Sequence, residues 1–132
     1  MSEVFDHEKL KVYQRALDFV EFTDALLSTF PKSMAVCDQL DRASTSIPLN
    51  IAGGDGKFTS KDRCRFFDIA RGSALECATA LDVLVRKGKS EETTGTEGKE
   101  ILREVVSMLV GLIRSQKTDR VYEDQGDYGS GD

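Results

Sequence analysis

This chain reads as an antiparallel, up-and-down four-helix bundle, all-α and oligomeric, on three grounds. Apolar residues recur at three- and four-residue spacing through four segments. No stretch alternates apolar and polar residues as a half-buried strand would. The breaks between segments are short and hold proline, glycine or capping residues, which favours antiparallel neighbours.

The first helix is expected from about Asp6 to Thr29. Leu10, Tyr13, Leu17, Val20 and Leu27 form one stripe, interrupted by Asp24. Val12, Ala16, Phe19, Leu26 and Phe30 form a second beside it, more apolar surface than one neighbouring helix covers. Phe30-Pro31 stops the helix, because the residue before proline disfavours the α region. Ser33 is placed to cap the next one.

The second helix, about Met34 to Ala52, aligns Cys37, Leu40, Ser44, Ile47 and Ile51 on one seam. Pro48 sits inside it, where the ring removes a backbone donor and crowds the preceding turn. A bend or loosening is expected near Ile47, with Asn50 satisfying the carbonyl that Pro48 orphans. Gly53, Gly54 and Gly56 are expected to end the helix and to bring Lys57 back beside Arg42. Thr59 or Ser60 then caps the third helix.

That helix, about Lys61 to Lys87, carries Phe66, Ala70, Ser73, Cys77, Ala80 and Leu84 on one stripe. Phe67, Ala74, Ala78, Leu81 and Val85 lie on the next, and the many small residues allow close helix approach. Lys87-Gly88-Lys89 ends it with a glycine and favourable positive charge. A polar loop is expected from Ser90 to Gly98, then a fourth helix with Ile101, Val105, Met108 and Leu112 beside Leu102, Val106, Leu109 and Ile113. Residues 1–117 thus form the bundle domain. Residues 118–132 are poor in apolar side chains and read as an acidic, disordered tail.

Charge and cysteine usage narrow the function classes. Acidic residues outnumber basic ones 23 to 18, for a net charge of -5. The tail holds five acids against Arg120 alone, a net of -4, which leaves the body near neutrality. A chain-wide basic footprint for nucleic acid is therefore absent. Cys37, Cys64 and Cys77 have no C-x-x-C spacing and read as reduced thiols used as small hydrophobes, which points to the cytoplasm. Residues 1–6 lack the basic and apolar regions of a signal peptide, and no apolar run reaches the ~18 residues of a membrane span.

Chemistry-bearing constellations are few. Gly53-Gly54-Asp55-Gly56-Lys57 lacks the P-loop glycine, where Ile51 stands, and the following hydroxyl, where Phe58 stands. His7, the sole histidine, stands at the start of the first helix and reads as a solvated or capping residue, and the Glu-x-x-His pairs of bundle metal sites do not occur. No catalytic residue, metal ligand, cofactor or small-molecule substrate is expected. The one charged concentration is basic: Lys57, Lys61, Arg63, Arg65 and Arg71, with Arg42 on the preceding helix, opposed by Asp55, Asp62 and Asp68. It reads first as a solvated helix face with intrachain pairs, and alternatively as a phosphate-contacting patch.

The stretch from Gln39 to Lys57, with Arg42, Ala43, Ser44, Ser46, Ile47, Pro48, Asn50, Ile51, Ala52, Gly54 and Gly56, carries a resemblance. So do Arg65-Phe66, Ile69-Ala70-Arg71-Gly72-Ser73-Ala74 and Glu76. Together these resemble the bacterial four-helix bundle family of 23S rRNA-intervening sequence proteins, over roughly Leu10 to Ile113. Two departures stand out: Gly53 where the family usually has glutamate, and Lys57 where it has arginine. The resemblance implies a non-enzymatic protein that assembles into rings, typically pentamers. It also implies, through a related branch that serves diversity-generating retroelements, an alternative as an RNA- or DNA-binding accessory protein. Pro48, Asn50, Gly54, Gly56, Gly72 and Ser73 then read as a structural motif that sets the corner between helices.

Overall fold

A computed structural model describes residues 3–31 and 34–129, with side chains through Lys117. Among the described residues the chain is all-helical, with four helices and no strand. They are α1 (Lys11–Leu27), α2 (Ala35–Asp55), α3 (Ser60–Arg86) and α4 (Glu92–Gly129), preceded by a 3-10 turn, Asp6–Lys9. Each packs against two others: α1 lies against α2 and α4, and α3 lies against the same two from the opposite corner.

That arrangement accounts for the wide apolar surface of α1. Val12, Ala16 and Phe19 are buried, while Leu10, Tyr13, Leu26 and Leu27 pack on the core from the flanks. Two neighbours, rather than one, absorb the surplus. The helix starts later than expected because Leu10 is extended, with φ -77 and ψ 126, and divides it from the 3-10 turn. Phe19, Leu40, Ile47, Ile51, Phe67, Leu81, Leu84 and Leu109 are all essentially inaccessible and form the centre. Each contributes about 1.5–3 kcal/mol by burial.

The glycines depart most from expectation. α2 does not stop at Gly53; it runs on to Asp55, with Gly56 in an ordinary right-handed conformation at φ -80. Gly53 and Gly54 are helical residues whose missing side chains admit α3. A Cβ at Gly54 would stand 2.8 Å from Phe67 Cε1 and 3.0 Å from Phe66 Cβ. The expected loop to Gly98 is likewise shorter, since α4 begins at Glu92. There a Cβ at Gly95 would stand 2.9 Å from Val85 Cγ2 and one at Gly98 2.7 Å from Leu81 Cδ1 and Phe22 Cε2, so those side chains would have to shift. Close packing outweighs the poor helix propensity of glycine at these positions.

Gly88 alone among the described glycines has a positive φ, 71. Lys89 N–H donates to the Leu84 carbonyl and Gly88 N–H to that of Val85, a Schellman stop where Lys87-Gly88-Lys89 predicts one. The cap at Thr59 is also as expected, its hydroxyl accepting from Asp62 N–H at 3.2 Å. Ser33 lies outside the described residues; Met34 holds the N-cap position of α2 without a side-chain cap bond.

Pro48 is buried inside α2, which runs as α-helix from Ala35 to Asp55, so no looser turn interrupts it at the proline. Asn50 does not reach the carbonyl four residues before the proline. Its Nδ2 donates instead to the carbonyl and the Oγ of Ser46, both at 2.9 Å. α4 continues through Gly129, and the side chains of the expected acidic tail, 118–132, lie outside the described residues.

Candidate functional site

The corner between α2 and α3 gathers some of the expected basic residues and disperses the rest. Lys57 Nζ lies 4.8 Å from the centroid of the Phe66 ring, and Arg65 Cζ lies 5.2 Å from it. A ring between two cations keeps both near one place despite their repulsion, each cation-π contact being worth ~0.5–1 kcal/mol at an exposed site. Lys61 is exposed and stands one helical turn before Arg65, on the same face of α3. Phe58, beside Lys57, is 99% exposed.

The other three expected members do not join this group. Arg63 turns inward: its Nε donates to the Lys57 carbonyl at 2.7 Å and ties the corner shut. Arg71 is paired with Asp68 at 3.1 Å, about 9 Å along the helix from Arg65 at the usual rise. Arg42 is paired with Asp38 at 3.0 Å. Asp55 lies thirteen residues further along the helix, roughly 20 Å away, so Lys57 does not return beside Arg42. An uninterrupted α2 is the reason: the expectation needed the helix to end at Gly53 and fold back.

A polar seam runs between α2 and α3 further along. Ser46 Oγ and Ser73 Oγ are 2.9 Å apart, and Asn50 closes the set by donating to Ser46. Large apolar side chains are exposed on both sides of α3, with Leu75 in a hollow against α4. Leu49 on α2 is 67% exposed, and Ile69 and Leu75 on α3 are about half exposed. Gly72 lies between the two α3 residues, with nothing within 4 Å of where its Cβ would be. Leu49, Phe58, Ile69 and Leu75 belong to none of the expected apolar stripes. The available signal was negative: none of them fits a buried stripe, and an apolar residue off every stripe faces outward.

The cysteines fit their expected role as small apolar groups. Cys37 and Cys77 are buried, and the Cys64 thiol donates to the Ile113 carbonyl at 3.7 Å. Burial pushes the Cys77 thiol up to about 12, with Glu76 adding to the effect, and raises Cys37 as well. Neither is poised as a nucleophile. His7 is sandwiched between Phe5, stacked at 5.8 Å, and Tyr13, edge-on at 4.7 Å. Among the described residues no three His, Cys, Asp or Glu side chains converge as metal ligands, and no helix is long and apolar enough to cross a membrane.

No curated protein matches this chain. A crystal structure of a protein with unknown function from the S23 ribosomal protein family of Bacteroides thetaiotaomicron shares its fold, with a TM-score of 0.73 at 22% identity. The match covers 77% of this chain and 97% of the other. The sequence profile of the 23S rRNA-intervening sequence proteins matches residues 8–111, a span that includes the α2–α3 corner, its polar seam and the apolar residues around it. The chain belongs to the 23S rRNA-intervening sequence protein family.

Proposed function

We propose that this protein is a non-catalytic, homo-oligomeric helical bundle whose α2–α3 face is the contact between copies. The observation that carries the reading is the exposure of Leu49 and Ile69 beside the Ser46–Ser73 seam. Leu49 stands three residues from Ser46 and Ile69 four from Ser73, so both belong to the seam's side of their helices, and adjoining exposed apolar side chains mark an interaction surface. Gly72 leaves room there for a partner's side chain. The antiparallel, up-and-down arrangement is supported by paired contacts: Gly54 meets Phe66 while Ser46 meets Ser73, and Phe22 meets Gly98 while Arg15 meets Glu104. Family resemblance favours a pentamer, and the buried, reduced Cys37 and Cys77 suit a reducing cytoplasm.

Light scattering after size-exclusion chromatography tests the assembly. The wild type is expected as a multimer at micromolar concentration, and Leu49→Asp with Ile69→Asp as a folded monomer. A monomeric wild type, or a double variant that still assembles, would refute this reading.

A second reading, binding of RNA or DNA, rests on Phe58. The fully exposed Phe58 ring follows Lys57, whose ammonium shares the Phe66 ring with Arg65, so a stacking surface adjoins phosphate-neutralising charge. Copies in an oligomer would add such weak patches together. Binding should weaken steeply with salt. Phe58→Ala should reduce affinity for single strands by about 1–3 kcal/mol. Absence of binding at low salt would eliminate this reading.

A further inference from the structure

On the side of the bundle away from the α2–α3 face, α1 and α4 enclose an open cleft of about 730 Å³. Lys9, Lys11, Arg15 and Arg103 line it, against Asp18 and Glu104, so its walls carry a net positive charge of two. The two acids are already committed. Arg15 donates through Nε to Glu104 in a close ion pair and through Nη1 to Asp18 at 3.1 Å. These bonds raise the Arg15 pKa, with that to Glu104 the larger cause. Lys9, Lys11 and Arg103 have no acidic partner among the described residues.

A second hollow of about 290 Å³ adjoins the first and shares Lys11 and Met108 with it. Its other walls are Leu10, Val12, Gly111 and Leu112, which are all apolar or without a side chain. Gly111 keeps it open, since a Cβ there would meet nothing within 4 Å. The combination is a cationic mouth leading into an apolar trough. A small anion alone would leave the trough unused, and an uncharged apolar molecule would leave the cations unmatched.

We infer that this groove binds an amphiphilic organic anion, a free medium-chain carboxylate. The head group sits among Lys9, Lys11 and Arg103, and the chain lies along Leu10, Met108 and Leu112. Such complementarity, an apolar lining with a few convergent charges, is what small-molecule sites use to orient ligands. The inference is independent of the oligomer reading, because every residue it uses comes from one chain.

Calorimetric titration of the full chain with decanoate, below its micelle concentration, tests the inference. Saturable binding is expected, with decanol and acetate each at least tenfold weaker. Changing Lys9, Lys11 and Arg103 together to glutamine should weaken decanoate at least tenfold and narrow its advantage over decanol. Gly111→Leu fills the trough, and because leucine is the better helix former, α4 is retained. It should abolish decanoate binding with an unchanged circular dichroism spectrum. Wild type that does not bind decanoate, or that sediments with anionic lipid vesicles in place of binding it, would overturn the assignment. So would binding that neither variant alters.

Discussion

Replacing Gly54 by alanine measures how closely α2 and α3 approach. The added Cβ would lie 2.8 and 2.9 Å from two carbons of the Phe67 ring, where ordinary contact begins at 3.4 Å. Phe67 is 2% exposed and has no room to retreat, and the third neighbour is Phe66 Cβ, which moves only with its backbone. Overpacking of this kind costs ~1–3 kcal/mol. Against it stands the gain of ~1 kcal/mol from replacing glycine by alanine inside a helix. A net destabilisation of about 1 kcal/mol follows, or roughly 4 °C in melting temperature for a domain of this size. Gly72→Ala is the matched comparison, because its Cβ meets nothing. It should stabilise by up to ~1 kcal/mol through propensity alone. Urea unfolding of both variants followed by circular dichroism, at dilution to limit any effect of association, reads the two signs. If Gly54→Ala were as stable as Gly72→Ala, glycine would not be required by packing at residue 54.

Three further outcomes are expected. Phe19→Ala empties the centre of the core, where the ring is fully buried, and should cost ~3–5 kcal/mol in denaturant unfolding. Thr23→Val should stabilise by ~1 kcal/mol in the same assay, because Thr23 Oγ1 is buried without a hydrogen-bond partner among the described residues. The third concerns pH. Cys77 holds its proton in the fold up to about 12, against 9.0 for an unperturbed thiol, so the unfolded chain releases it first as pH rises. Stability from this source is intact below pH 9 and lost progressively between 9 and about 12. Cys77→Ala should flatten that decline; a slope equal to wild type would show that Cys77 does not cause it.

The helices were legible in the sequence because burial imposes a period, and Cys37, Leu40, Ile47 and Ile51 display it directly. The ends that involve a local backbone requirement were legible too, as at Gly88 and Thr59. Glycines 53, 54, 95 and 98 were misread for a physical reason: propensity is local, whereas the aromatic and aliphatic side chains they accommodate belong to other helices. The basic cluster was half legible. Lys57 and Arg65 meet on Phe66 because they flank one corner, but placing Arg42 with them required a break in α2 that packing against Phe66 and Phe67 removes. The α1–α4 groove had no linear signal, since Lys9 and Arg103 lie at opposite ends of the bundle sequence and only the fold brings them together.

The corner that carries Phe58 has a kinetic consequence. Lys57 N–H bonds to the Gly54 carbonyl, its own carbonyl is held by Arg63, and Thr59 is engaged through both its carbonyl and its hydroxyl. The ring therefore stands on backbone that is already ordered, although the ring itself touches almost nothing. A molecule arriving there meets a fixed post, not a loop that must first be stilled. Ordering a backbone residue costs ~1–2 kcal/mol, and that cost was met when the chain folded. Capture at this corner should then be limited by encounter and orientation, with rates that follow viscosity and salt more closely than they follow temperature.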